Sequence, residues 1–510
     1  MGRITFLKKA SQALVLGILF LVPFSTGLAQ TGTSSVQGTV SDSSGAVVPT
    51  AVVALRNTDT NVVLRVTADG SGSYSFPSVP PGVYSLEVEK QGYAPFKITQ
   101  FRVIVGQHAT EDVALGVASS QSTVTVYANG LTNLIDPESN DLGTVVGSKS
   151  VQELPLNGRN YLQLGLLSGA VTQPAGAAAG SVNQTGHPQL AIQVAGNEPD
   201  YTMYVINGLE TIASRAGNTS LNLSMGAIDQ FEVHYGFFMP DMGTNPGIVD
   251  VVTKSGTNHM HGEVYEYLRT NQMQARDYFA LPSAGAPIAP GKYHQNQFGF
   301  DFGGPILHNR LFYFASYEGY RQNQQVLINA TTPTAAMFGG DFSALSTPIF
   351  DPATLDPTTG QRTQFPGNKI PTSRFSSASS KLLAYYLPGA GSVPFSNNVG
   401  GNAPYRFNSD QFMGRIDYTA GTNHQFFAQG NWLNSPITSP GLFPGQGTAY
   451  PMDTELVNLG WNWTLGSTKV NELRMGMIRD AVYDEGLQVN GLQQQLNITG
   501  TSDPNGVPGI

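Results

Sequence analysis

From His261 onward the chain alternates apolar and polar residues with a period of two, the pattern of strands that present different faces to different surroundings. Phe298, Phe300 and Phe302 share one side, and Gln297, Gly299, Asp301 and Gly303 the other. A turn at Leu307-His308-Asn309-Arg310 leads into Leu311-Phe312-Tyr313-Phe314. Phe412, Ile416 and Tyr418 then oppose Gln411, Met413, Arg415 and Asp417, and the chain turns at Ala420-Gly421-Thr422-Asn423. Phe426 and Trp432 oppose Gln425, Gln429 and Asn431; Val457, Leu459, Trp461 and Trp463 oppose Asn458 and Asn462; Leu473, Met475 and Met477 oppose Glu472 and Arg474. These are hairpins of about nine to eleven residues per strand, enough to cross a bilayer when tilted. One face offers aromatic and aliphatic groups to lipid, the other amides and charges to a wet interior. A long insert, about Thr331 to Pro404, interrupts the series and is expected to be a loop.

The earlier chain has two other textures. Residues 35–116 hold short alternating strands separated by turn sequences such as Asp42-Ser43-Ser44-Gly45, Asp69-Gly70-Ser71-Gly72 and Pro80-Pro81-Gly82, which predicts a β-sandwich. Tyr74, Phe76, Tyr84 and Tyr93 allow a sugar-stacking surface or a core; alternating aromatics in strands more often form a core, and that reading is taken. Residues 120–255 mix short apolar stretches, Leu162 to Leu167 among them, with strand-like runs such as Gly247 to Thr253 and a helix end running into a strand from Ala227 to Val233. Gln173 to Gln189 is rich in Gly and Ala and carries no periodicity, as expected of a loop or spacer.

Composition narrows the class. Charged residues make up 12% of the 510, yet mean hydropathy is only −0.12, a balance expected of sheets whose polar faces carry Asn, Gln, Ser, Thr and Gly. The net charge of −9 argues against nucleic acid as a partner. With no cysteine, thiol catalysis, disulfides and Cys-based zinc sites are excluded. Arg3, Lys8 and Lys9 precede an apolar run from Ala13 to Phe24 and the small residues Gly27 and Ala29, so residues 1–29 read as a cleaved export signal. That run is shorter than the ~20 residues of a spanning helix, and any later membrane passage would be made by strands.

Two families are resembled. The pieces Gly38-Thr39-Val40 with Gly45, Ala68 through Phe76, Pro81-Gly82-Val83-Tyr84-Ser85-Leu86 and Gln91-Gly92-Tyr93 resemble the carboxypeptidase regulatory-like family, a transthyretin-like sandwich without peptidase chemistry. From Leu154-Pro155-Leu156-Asn157-Gly158-Arg159-Asn160-Tyr161, through Val194-Ala195-Gly196-Asn197, Tyr204 to Glu210 and Gly247 to Asn258, the order of motifs is similar to the plug of TonB-dependent receptors of the Oar-like branch. Asn207-Gly208 stands where family plugs usually carry Asp-Gly; Asn also tolerates positive φ, so the turn should survive. Asp241-Met242-Gly243 departs from the usual Tyr-Gly pair. Phe300-Asp301-Phe302-Gly303-Gly304-Pro305-Ile306 and the insert pieces Gly340-Asp341-Phe342-Ser343 and Phe365 to Pro371 extend the likeness over nearly all of the mature chain.

The resemblance implies a mainly β protein: sandwich at 35–116, mixed α/β plug at 120–255, and the incomplete N-terminal part of an antiparallel transmembrane β-barrel at 256–510. The residues after Ser255 fall short of the several hundred needed by a barrel of about 22 strands. The turn-like stretch Ser502 to Ile510 also differs from a closing aromatic strand, so a truncated chain is expected. The implied place is the outer membrane of a Gram-negative cell. The implied partners are lipid, an unknown extracellular ligand and a TonB-like periplasmic energy transducer that adds a strand to Val124, Thr125 and Val126. An ordinary linker strand is as good a reading of that strip from the residues alone.

No cofactor and no catalysis are expected: the chain lacks a His-Glu-x-x-His zinc signature, a Walker loop and a Gly-x-Ser-x-Gly elbow. His259, His261 and Glu263 would share a strand face and make metal binding conceivable, but a polar rim explains them better and no metal site is assigned. Energy-driven uptake of a bulky oligosaccharide or peptide is the expected function. A non-transporting adhesin or assembly platform on the same barrel is the alternative, and a soluble carbohydrate-binding protein a distant third.

Overall fold

The computed structural model describes residues 34–117, 124–126 and 142–486, apart from 155, 157–158, 174–191, 212–218, 237–244, 274, 276–290, 387–397, 442–446, 467–468 and 484. The expected export signal, most of the Gly-rich stretch, residues 241–243 and residues 502–510 lie outside the described residues.

The first body is a sandwich. Strands β1 (Ser34–Asp42), β4 (Ser73–Val79), β7 (His108–Thr110) and β8 (Val113–Leu115) form one sheet, with β1 at its centre. The other sheet is ordered β3 (Val63–Thr67), β2 (Val52–Asn57), β5 (Gly82–Glu89), β6 (Phe96–Val103), β9 (Val124–Val126). The two Asp-led turns close in the same way. Asp42 Oδ1 accepts from the Ser44 and Ala46 amides at 2.8 and 3.0 Å, and Asp69 Oδ1 from those of Ser71 and Ser73 at the same distances. Such side-chain-to-backbone bonds fix a turn before any long-range contact forms. Tyr74, Phe76 and Tyr84 are buried with Leu55, Leu86 and Val88, and Tyr93 packs against the same cluster, so the aromatics form the core and not a sugar platform.

The second body is a five-stranded mixed sheet ordered β10 (Gly143–Val146), β15 (Ile228–Tyr235), β16 (Gly247–Thr253), β13 (Thr202–Ile206), β14 (Leu209–Glu210), in which only β13 and β16 run parallel. The pair β11 (Val171–Thr172) and β12 (Gln193–Val194) lies apart from it. Short helices at Ser148–Glu153 and Leu162–Gly165 supply Val151, Leu162 and Leu164 to a core that also holds Tyr161, Phe231, Val233, Val249 and Val251. Because successive strand residues alternate in direction, the opposite face carries Gln230, Glu232, His234 and Asp250, all buried.

The third body is a ten-stranded antiparallel wall. Its main path is β17 (His261–Thr270), β18 (Tyr293–Leu307), β19 (Leu311–Ala330), β20 (Val399–Ala420), β21 (His424–Asn434), β24 (Met452–Thr464), β25 (Val470–Val482). Short strands β22 (Ile437–Pro440), β23 (Gly447–Tyr450) and β26 (Glu485–Gly486) pair beside it. The sheet does not close: β17 and β25 stand at opposite ends of the order. The alternation is borne out. Phe300, Phe302, Phe412, Ile416, Trp432, Val457, Leu459, Leu473 and Met477 are exposed on the outer face, whereas Gln297, Asp301, Glu318, Gln429, Asn431 and Asn458 are buried on the inner one. Near the short turns the outer face ends in stacked rings, with Trp461 5.9 Å from both Phe426 and Trp463 and nearly parallel to each.

Two expectations need correction. Two strands, β17 with 10 residues and β21 with 11, have the expected length of nine to eleven, but others are longer: β18 has 15, β19 has 20 and β20 has 22. The insert begins as expected but ends earlier, because residues 399–404 belong to β20 and continue the ladder from Gln325↔Pro404 to Ala330↔Val399. Backbone pairing needs no apolar contrast, so the ladder runs on through Arg321-Gln322-Asn323-Gln324-Gln325, where the alternating signal fades.

Within the insert Asn368, at φ 56°, acts as a hub. Its Oδ1 accepts from the Ile349 amide at 2.9 Å and its Nδ2 donates to the Thr347 and Leu345 carbonyls at 2.9 and 3.2 Å. Asn368→Ala removes these bonds at a buried position and should cost the loop roughly 2–4 kcal/mol. Faster protease nicking of residues 340–375 in the purified protein checks it; unchanged nicking would show that the loop is held by other contacts.

Candidate functional site: the seam between the small sheet and the wall

The hairpin turn Asn207-Gly208 adopts left-handed φ values of 47° and 79° and points the end of β13 at the wall. Asn207 Nδ2 donates to Thr253 Oγ1 at 2.7 Å and to Gln429 Oε1, and Asn207 Oδ1 accepts from the Thr253 amide at 3.1 Å. Asn458 Nδ2 donates to the carbonyls of Ile206 and Asn207, both at 3.2 Å, and Arg415 Nη1 to Thr253 Oγ1 at 3.0 Å. The turn thus survives the Asp-to-Asn departure, and its amide gains wall partners. Beside it Leu209 packs over Gly476, where a Cβ would lie 2.4 Å from a Leu209 methyl. Further up, Leu221, Leu223 and Met225 join Phe314, Met413, Leu433 and Leu456 of the wall in one cluster.

Arg159, from the Leu154–Tyr161 motif, takes φ 51° and sets its guanidinium carbon 4.4 and 4.9 Å from the ring centres of Tyr267 and Tyr265 on β17. Tyr265 donates to Glu318 Oε2 at 2.8 Å, and Gln411 Nε2 to Glu318 Oε1 at 3.0 Å. The seam therefore mixes hydrogen bonds, a cation–π contact and one apolar cluster.

The sandwich sits at the short-turn end of the wall. Asn462 Nδ2 donates to Ser78 Oγ at 2.8 Å, and the Asn258 amide to the Asp59 carbonyl at 3.0 Å. Gly106 lies against Glu232; a Cβ there would come within 2.7 Å of its Oε2. A cleft of about 180 Å³ remains between the three bodies. Leu64, Pro81 and Tyr84 line it from the sandwich, Asn207 and Asp250 from the small sheet, and Arg415, Phe427 and Arg474 from the wall. The Phe427 ring lies between two guanidiniums, 4.9 Å from Arg415 and 5.3 Å from Arg474, in the space Gly460 leaves open. Arg415 is neutralised by Asp417 at 2.8 Å. Asp250 is 2% exposed with no hydrogen-bond partner for Oδ1, and burial pushes its carboxyl up to about 7 against a bond from the Val251 amide. Burial pushes the His234 imidazole down to about 4.

Val124, Thr125 and Val126 do not reach this seam. They form β9, parallel to Phe96–Ile98, as the last strand of the second sandwich sheet. His261 opens β17, while His259 precedes it in the turn and Thr257 Oγ1 donates to its carbonyl at 2.9 Å. Among the described residues no group of three His, Cys, Asp or Glu side chains is placed to hold a metal. Sequence reasoning missed Asp250, Arg159, Gln429 and Asn458 as a set. One charge inside Ile248-Val249-Asp250-Val251-Val252 was the visible hint, but its neighbours were not.

Residues 252–510 match the family model described as an outer membrane beta barrel domain, and residues 35–116 match the carboxypeptidase regulatory-like domain. The TonB-dependent transporter Oar of Myxococcus xanthus is 25% identical over 298 residues, 56% of this chain and 26% of that protein, so the chain spans about a quarter of that relative's length. Among solved structures, the outer membrane transporter YddB from Escherichia coli aligns with a TM-score of 0.44 at 13% identity, over 68% of this chain and 40% of that one. The siderophore receptor PirA from Acinetobacter baumannii aligns at 0.34 and 16%, over 68% and 49%. With its barrel match covering just over half of its residues, the chain belongs to the outer-membrane β-barrel family, preceded by a carboxypeptidase regulatory-like domain and homologous to the TonB-dependent transporter Oar.

Proposed function

We propose that this protein takes up a bulky ligand across the outer membrane, with the small mixed sheet as its plug and a TonB-like partner supplying the energy. The observation that carries the reading is the seam: a separate sheet held to the inner face of the wall at one end by amide and guanidinium hydrogen bonds among Asn207, Thr253, Gln429, Asn458 and Arg415, and further along by a single apolar cluster. Polar contacts of this kind exchange for water at little net cost, about 1 kcal/mol each, so the sheet is able to shift without unfolding the wall. The exposed aromatic face then meets lipid, and stacked rings near the short turns belong at the bilayer interface. β9 ends its sheet order, and its outer edge offers backbone groups for strand addition at Val124–Val126. The long strands β19 and β20 and the ordered loop support an oligosaccharide or peptide as ligand. Nothing in the site calls for catalysis.

The test uses the cysteine-free background. Leu209→Cys with Gly476→Cys, joined by a short cleavable bis-thiol linker, ties the small sheet to the wall. Cells are offered a fluorescent mixture of oligosaccharides and peptides too large for porins. Accumulation should require an energised inner membrane, fall at least tenfold on tying and return on cleavage; deleting Val124–Val126 should abolish it. Surface binding without energy-dependent accumulation would instead favour the adhesin, for which the loop built around Asn368 offers a fixed platform.

A further inference from the structure

The small sheet's second face raises a separate question, because it buries Gln230, Glu232, His234 and Asp250, and the sandwich lies over part of it, with Gly106 against Glu232 and with Leu64 and Tyr84 lining the same cleft as Asp250. We infer that the sandwich is a reversible cover: it docks over this face at the short-turn mouth of the wall, and it lifts to open the path that the small sheet leaves. The inference goes beyond the proposed function, which needs only the small sheet to move.

Three observations carry it. First, the docked face is a poor permanent interface. A buried carboxylate with an oxygen lacking any partner is costly, and lasting contacts normally pair or replace such groups. Asp250 Oδ1 has none, and the Asp250 side chain lines the cleft left between the bodies. Second, the described bonds that tie the sandwich to the rest are sparse and polar: Asn462 to Ser78, and the Asn258 amide to Asp59. Interfaces of this sort between domains resemble transient ones. Third, β9 is part of the sandwich's own sheet, in register from Phe96↔Val124 to Ile98↔Val126. A strand added to β9 therefore acts on the sandwich first. Tension applied there reaches the cover before it reaches the small sheet.

The experiment reads exposure directly and needs no transported ligand. Asp250→Cys places the chain's single thiol under the sandwich, and a bulky polymer-linked maleimide is supplied to the periplasmic side of osmotically shocked cells. Lys469→Cys, exposed on a wall turn, serves as the fully reactive control. In resting cells Asp250→Cys should label at least tenfold more slowly than the control. Adding Ser78→Ala, or separately Asn462→Ala, should speed it at least threefold without altering heat-modifiable migration of the wall. Two variants on opposite partners guard against a local folding defect in either. Labelling that stays slow with both would overturn the cover, as would labelling as fast as the control in the unaltered pair. Energisation is a further arm: acceleration by Ser78→Ala but not by an energised inner membrane keeps the cover and removes energy-driven uptake.

Discussion

Asp250→Asn should make the protein more stable at pH 7 to 8 and no more stable near pH 4. Burial holds the carboxyl at about 7 in the folded chain, against an ordinary 3.8. The folded state therefore keeps a proton that the unfolded chain releases. That contribution is complete below about pH 4 and is lost as pH rises to 7, after which the penalty of a buried charge amounts to roughly 4 kcal/mol. Asparagine has the same shape and never ionises. His234 runs the other way: burial lowers its imidazole from 6.5 to about 4, so stability is complete above 6.5 and falls as pH drops toward 4. In the unaltered protein the two slopes oppose each other between about pH 4 and 6.5 and should nearly cancel. The variant should expose the His234 slope, with stability rising over that window. Thermal unfolding of the detergent-solubilised protein from pH 4 to 8 measures both. Parallel curves for the two proteins would mean that Asp250 ionises freely in the fold.

Phe231→Ala should unfold the small sheet while leaving the wall standing. Phe231 is fully buried at the centre of β15, pairs with Val251 and Val146, and meets Tyr161 edge-on at 5.5 Å. Removing its ring forfeits burial and leaves a cavity that rigid strands on both sides cannot close, a cost of roughly 3–5 kcal/mol, comparable to the whole stability of a small domain. The wall hairpins hold one another through continuous ladders such as Leu311↔Tyr418 to Ala330↔Val399 and do not depend on this ring. Proteolysis should cut within residues 142–253 of the variant, while heat-modifiable migration persists. Equal protease resistance in both proteins would show that the wall, and not the sheet's own core, keeps the sheet folded.

The three-body organisation was legible because each body has its own local code. Asp42 and Asp69 close their turns through bonds to residues two to four positions away, and Asn207-Gly208 supplies the positive φ its hairpin needs. Tyr74 and Phe76 alternate with Ser73 and Ser75, and that spacing alone sends the rings inward. In the wall, Phe300 and Gln297 were assigned to opposite faces from period two, and they lie there. The ends of β19 and β20 were not legible. Gln324 and Asn323 carry no face preference, and pairing with Tyr405 and Arg406 on one side and with Tyr293 and His294 on the other keeps them extended.

By itself, then, the sequence determined where most strands and turns fall and which side of the alternating strands is apolar, since these follow from interactions within a few residues. Tertiary structure alone decided that Asn207 meets Gln429, that Ser78 meets Asn462, that Val124–Val126 joins the sandwich and that Asp250 is buried at the cleft between the three bodies. Those contacts depend on how separately folded bodies seat against one another. Many polar side chains offer equivalent partners at such distances along the chain, and only the packed arrangement selects among them.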